Sequence, residues 1–168
     1  LIRDVIGDSK TWLPIASPED VLTFMANSAD WAEAKPGEKF FYLNEGYVLL
    51  GLIISKVSGL PYEQYVKEHI LKPLRMERSY FTREEFEADP DKATPYIIDK
   101  EGNRVPSTYP FGISADGGLI SNVMDLARYV RMYLNRGELE GTHILSEENI
   151  KEMEEPRLPL PYEEPFKR

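Results

Sequence analysis

From Glu45 to Ser58 the apolar residues fall at helical spacing, and no other segment restricts the fold of this chain as much. Tyr47, Leu50, Ile54 and Val57 form a stripe that Leu49, Leu52 and Ile53 widen, so the helix is expected to be buried on most of its sides. Gly59 ends the pattern and Pro61 forbids its continuation while opening the next helix, where Tyr65, Val66 and Ile70 point inward before Pro73. Asn44 is placed to cap the long helix. A helix this apolar needs neighbours, and the chain supplies several. Ser17-Pro18-Glu19-Asp20 starts one, with Val21, Leu22, Phe24 and Met25 as its apolar face. Ser121 or Asn122 caps another, with Val123, Leu126, Ala127, Val130 and Leu134 inward and Gly137 at its end. Ser146 opens a short last helix carrying Ile150 and Met153.

The connections are less regular. Asn27 to Pro36 is expected to be a loop anchored by Trp31, Pro36-Gly37 a turn, and Phe40-Phe41-Tyr42 extended. Glu84 to Lys92 is acidic and is expected to be a solvated surface segment. Tyr96-Ile97-Ile98 and Arg104-Val105 flank Lys100 to Asn103 as a small β-hairpin, and Ser114 to Gly118 form a small-residue loop. Residues 1–155 then make one mainly α unit with a small β-hairpin, followed by a Pro-rich extended tail over residues 156–168.

Composition narrows the chemistry. A formal charge of −9 over 168 residues argues against nucleic acid and anionic membranes as partners. No apolar stretch reaches 18 residues, so no membrane span is expected in this segment. With no cysteine, thiol nucleophiles, disulfides and cysteine-bound metals are excluded. His69 and His143 lack ligand spacing and read as structural or surface residues, the latter in a loop. The carboxylates from Glu84 to Asp91 lack the order of a calcium loop, and no cofactor is expected. There is no Ser-x-x-Lys, no Gly-x-Ser-x-Gly and no Gly-rich phosphate loop. Abundant Lys and Glu with scarce Gln fit a thermophile.

Two polar groups interrupt an otherwise apolar stretch: Tyr42 and Asn44, the candidate catalytic residues. Side chains two apart on an extended segment share a side, so both can face one cleft. Spacing alone leaves alternatives open. Tyr42 can be an aromatic anchor, Asn44 a helix cap, and Tyr133-Leu134-Asn135 matches the same pattern.

The segment Pro36-Gly37-Glu38-Lys39-Phe40-Phe41-Tyr42-Leu43-Asn44-Glu45-Gly46-Tyr47-Val48-Leu49-Leu50-Gly51, with Val57-Ser58-Gly59 and Lys72-Pro73-Leu74-Arg75-Met76, resembles class C β-lactamases and their esterase and peptidase relatives. So do Ser114-Ala115-Asp116-Gly117-Gly118-Leu119-Ile120-Ser121, Asp125-Leu126-Ala127-Arg128, Leu145-Ser146 and Met153, in the same order over residues 18 to 155. The resemblance implies the helical subdomain of the β-lactamase/transpeptidase-like α+β fold. It picks Tyr42-Leu43-Asn44 over the later tripeptide, with Tyr42 handling the proton of a serine nucleophile and Asn44 orienting a lysine and the substrate amide. Leu43 stands where Ser is usual, and Arg75 where Gly is usual, which puts that turn's geometry in doubt.

The serine and lysine of the family's Ser-x-x-Lys, and its third-motif strand with Lys- or His-x-Gly, are expected upstream of Leu1 and downstream of Arg168. These 168 residues are then expected to be inert alone, with apolar helix faces that the flanking sheet or another chain covers or that remain as an unusually large exposed patch. The resemblance implies a serine hydrolase that forms an acyl-enzyme on a small peptide, ester or lactam substrate, most simply a peptidase, with homo-oligomerisation open. The other reading is a catalytically silent module for binding or assembly. Neither resemblance nor residues assign a compartment.

Overall fold

A computed structural model describes residues 17–27, 34, 35, 37, 38, 40, 42–107, 109 and 111–157. Trp31 and all but the start of the Pro-rich tail lie outside these residues. Six α-helices and two small antiparallel ribbons make up the described part, so the chain is mainly α as expected.

Helix α1 spans Pro18–Ala26 behind a full capping box, in which Ser17 Oγ accepts from the Asp20 amide at 3.2 Å and Asp20 Oδ2 accepts from the Ser17 amide at 3.0 Å. It packs on α2, Asn44–Ser58. Asn44 is already helical there, and Leu43 occupies the cap position without a side-chain bond, so the expected capping role of Asn44 is not realised. Gly59 closes α2 at φ 73°, with its amide on the Ser55 carbonyl at 3.0 Å. Pro61 then opens α3, Tyr62–Val66, which widens into a π-helical turn over Lys67–Leu71. Arg75 follows at φ 54°, so the turn keeps the left-handed geometry for which glycine is the easiest residue.

Helix α4, Arg83–Ala88, is capped by Thr82 and buries Phe86. The acidic stretch is therefore not simply a solvated face. Asp89 accepts three bonds from the Arg78 guanidinium, one from the Tyr80 hydroxyl at 3.0 Å and one from the Asp91 amide at 2.9 Å. The Asp91 amide, before Arg78 and Tyr80, holds that carboxyl below its usual range. Strands β1, Tyr96–Ile98, and β2, Arg104–Pro106, pair with Ile97 opposite Val105.

Asn122 caps α5, Val123–Leu134, by accepting from the Met124 and Asp125 amides at 2.9 and 3.0 Å. A second ribbon follows that the sequence reading missed: β3, Glu138–Leu139, against β4, Thr142–His143. His143 is thus a strand residue rather than part of a loop, and its ring lies 3.2 Å from Glu138. The signal was present in Glu140-Gly141, whose positive φ values of 52° and 83° suit a tight hairpin turn. Ser146 caps the last helix, α6, Glu147–Glu154, which seats Ile150 in the interior.

The main core gathers Leu71, Leu74, Met76, Phe81, Met132 and Leu139, between the turn after α3, the inner face of α5 and β3. Gly137 lets the ribbon close over it, since a Cβ there would stand 2.1 Å from the Leu145 carbonyl oxygen. The apolar stripes expected to be inside lie mostly outside. On α2, Tyr47, Leu50, Ile53 and Val57 are exposed, and only Val48 and Gly51 are buried. On α5, Val123, Leu126, Val130 and Leu134 are exposed, while Asp125 and Met132 face inward. Helical periodicity located both stripes correctly. The core within this chain takes the other face of each helix and leaves both stripes uncovered by the described residues.

Candidate active site

Tyr42 and Asn44 lie where an extended stretch becomes a helix. Leu43 between them is extended, at φ −143° and ψ 105°, and Asn44 is the first residue of α2. Tyr42 is 77% exposed and Asn44 is exposed as well. No described residue hydrogen-bonds to either side chain, and none of the described cations stacks on the Tyr42 ring. The phenol is therefore not sealed in apolar packing.

Asn44 belongs to a definite face of its helix. Val48, Gly51 and Ser55 follow at intervals of four, three and four, which keeps all four on one side. That side packs on the loop Gly112–Ala115, where a Cβ on Gly51 would come within 2.6 Å of the Ala115 Cβ and 3.6 Å of the Tyr62 ring. By helical rise Asn44 stands about 10.5 Å from Gly51, directly beyond this contact.

The loop is held at its far end by hydrogen bonds. Ile120 and Tyr80 exchange backbone bonds at 2.9 Å, and Gly118 lies so close to the Ser114 backbone that a Cβ would meet it at 2.7 Å. The Asp125 carboxylate, buried at the start of α5, accepts from the Arg78 amide and the Ser79 hydroxyl, both at 2.8 Å. Ser79 Oγ also lies 2.7 Å from Ser121 Oγ, and Asn122 Nδ2 donates to the Arg78 carbonyl. Arg128 donates its Nε to the Leu74 carbonyl and pairs with Glu140 at 3.0 Å. Asp125 and Arg128, the charged ends of Asp125-Leu126-Ala127-Arg128, thus fasten the inner face of α5. Single-sequence reading found the tetrapeptide by resemblance only, because charged residues on a helix usually indicate solvent.

Other candidates separate from this site. The decoy Tyr133-Leu134-Asn135 ends α5, with Leu134 exposed. Lys35-Pro36-Gly37 and Lys100-Glu101-Gly102 both spell Lys-x-Gly, but their glycines adopt φ 80° and 86° in turns, not the strand that the third motif requires. His69 stacks on Tyr65 with 4.4 Å between ring centroids. The described residues contain no group of three or more His, Asp or Glu side chains placed to hold a metal. A groove of about 820 Å³ runs beside Leu71, Arg78, Tyr80 and Asp89, but it is lined by neither Tyr42 nor Asn44.

Residues 3–167 match the Beta-lactamase family. The chain belongs to this family. It is 52% identical to an octameric penicillin-binding protein homologue from Pyrococcus abyssi, with a TM-score of 0.83 over 97% of this chain and 35% of that one. A penicillin-binding protein from Bacillus halodurans is 21% identical, with a TM-score of 0.68 over 93% of this chain and 46% of that one, which shows the shared fold. Protein flp of Staphylococcus aureus strain MW2 is 34% identical over 110 residues, or 60% of this chain and 20% of that protein. The β-lactamase-family chain thus spans between a fifth and a half of the length of these relatives.

Proposed function

We propose that this chain is the helical portion of a serine hydrolase that cleaves amide or ester bonds through an acyl-enzyme, most simply a peptidase. The observation that carries the proposal is the exposed Tyr42 and Asn44 pair at the start of α2, in a chain of the β-lactamase family. Tyr42 is the group that takes and returns the serine proton. A phenol ionises near pH 10, so service near neutrality asks for a shift of roughly three units, about 4 kcal/mol. One lysine about 4 Å away supplies on the order of 4 kcal/mol at an effective dielectric near 20. No described residue provides that cation, which therefore comes from outside these residues together with the nucleophile. Asn44 orients the lysine and the substrate amide. With no Ser-x-x-Lys in their sequence, the isolated 168 residues are inert.

The exposed stripes of α2 and α5 receive the rest of the same protein. Its assembly is a homo-oligomer, for which the octameric state of the Pyrococcus abyssi homologue gives support. The test is to treat the full-length protein with a fluorescent fluorophosphonate and map the adduct. A single labelled serine, lost when that serine is replaced, is the expected outcome. A folded full-length protein that takes up no label rejects the enzyme and leaves a silent binding module in its place.

A further inference from the structure

The β1–β2 hairpin contributes nothing to the main core. Tyr96, Ile97 and Ile98 are all exposed, although successive residues alternate between the two faces of the ribbon. A two-stranded ribbon open on both faces is marginal in water, and stable ones gain further strands or packing. The register fixes which backbone groups are left over. The Asp99 amide donates to the Asn103 carbonyl at 3.0 Å, and the Ser107 amide to the Pro95 carbonyl at 2.8 Å. Bonded pairs alternate along an antiparallel ladder, so Ile97 and Val105 bond to each other, while Tyr96, Ile98, Arg104 and Pro106 turn their backbone groups outward.

The two edges of the ribbon differ. On β2, Pro106 has no amide to offer and Arg104 carries a charge, and both discourage pairing with another strand. On β1, Tyr96 and Ile98 each offer an amide and a carbonyl, with no charge and no proline among the three residues of the strand. No described group outside the ribbon bonds to them. This edge is also self-complementary. When it meets its own copy about a two-fold axis through Ile97, Tyr96 of each copy stands opposite Ile98 of the other, and the two exchange amide and carbonyl bonds. Ile97 then faces Ile97 in the closer, non-bonded pair, and Asp99 falls opposite Pro95, so no like charges meet.

We propose that the β1 edge is an interface between copies of this chain, with β1 of one copy paired antiparallel to β1 of a second. This rests on the homo-oligomer proposed above and says where two of its subunits meet. So short a pairing buries far less than the roughly 1,200 Å² of a stable interface, so it joins subunits that also touch elsewhere. The test is disulfide trapping in the full-length protein. Ile97→Cys would bring two Cα atoms to about 4.5 Å, within reach of a disulfide, whereas Ile98→Cys leaves them roughly 8 Å apart, which is too far. Under mild oxidation Ile97→Cys is expected to run as a covalent dimer on a denaturing gel, and Ile98→Cys is not. Adding Ile98→Pro, which removes an outward amide and leaves the bonds to β2 in place, should lower the crosslinked fraction of Ile97→Cys by about fivefold or more, as the loss of one net hydrogen bond implies. Equal crosslinking at both positions, or a crosslink that survives Ile98→Pro, is collision of exposed thiols and overturns the interface. So does an oligomer in which Ile97→Cys stays uncrosslinked: a thiol that maleimide labels is then a free surface, and one that maleimide cannot reach is covered by the rest of the same chain. A full-length protein that is monomeric by light scattering instead removes the homo-oligomer, and the interface with it.

Discussion

Helices α2 and α5 both turn a broad apolar stripe to the outside, but they join the rest of the chain by different means. Helix α2 does so by closeness, with Val48 buried and Gly51 nearly touching Ala115. Helix α5 does so with Met132 and with polar groups, Asp125 and Arg128, that are fully engaged with the backbone and with side chains around Leu74 to Ser79. The difference separates two kinds of helix face. The face used within the chain is narrow, and it is specified by a missing Cβ or by satisfied hydrogen bonds. The wide apolar face is left uncovered by the described residues.

This contrast can be broken at several points. Met132 is fully buried in the core, and Met132→Ala should destabilise the chain by about 2–5 kcal/mol in denaturant unfolding. A cost under about 1 kcal/mol would mean that α5 is held mainly by its polar contacts. At the mouth of the proposed site, Tyr42→Phe in the full-length protein should slow serine labelling by about 100-fold or more, with no loss of stability. Labelling at the normal rate would reject the proton role.

Val57 on α2 is 83% exposed. In this chain alone Val57→Ser should change stability by less than about 0.5 kcal/mol. In the full-length protein the same change should cost about 1.5 kcal/mol or more if the stripe is covered. Equal small effects in both settings would leave the stripe a free surface.

Arg75 makes a smaller test. It holds a left-handed φ of 54° while its amide donates to the Lys72 carbonyl at 2.9 Å, a bond that glycine would keep. Arg75→Gly should therefore raise stability by about 1 kcal/mol, read as a higher Tm. The weakest effect is on pH. The Asp91 amide, Arg78 and Tyr80 depress the Asp89 pKa, so the stability it contributes is present above the ordinary carboxylate pKa and is lost as the pH falls through the lower folded value. The protection factor of the Asp91 amide, taken against its intrinsic exchange rate at each pH, should fall as the solution is acidified, and Asp89→Asn should flatten that response.

The sequence alone was enough to place five of the six described helices, α4 excepted, because Ser17, Gly59, Pro61, Asn122, Gly137 and Ser146 act through local backbone and capping preferences. The β1–β2 hairpin was legible in the same way, and ordered resemblance singled out Tyr42 and Asn44 from the decoy at Tyr133. What only the tertiary structure decided was which side of each helix is inside. Periodicity reports where an apolar stripe lies but not what meets it, so Met132, Asp125 and the Gly51–Ala115 contact stayed hidden behind more conspicuous residues such as Leu50 and Val130. The position of Asn44 beyond the Gly112–Ala115 loop came late for the same reason: it depends on two segments more than sixty residues apart meeting at one glycine.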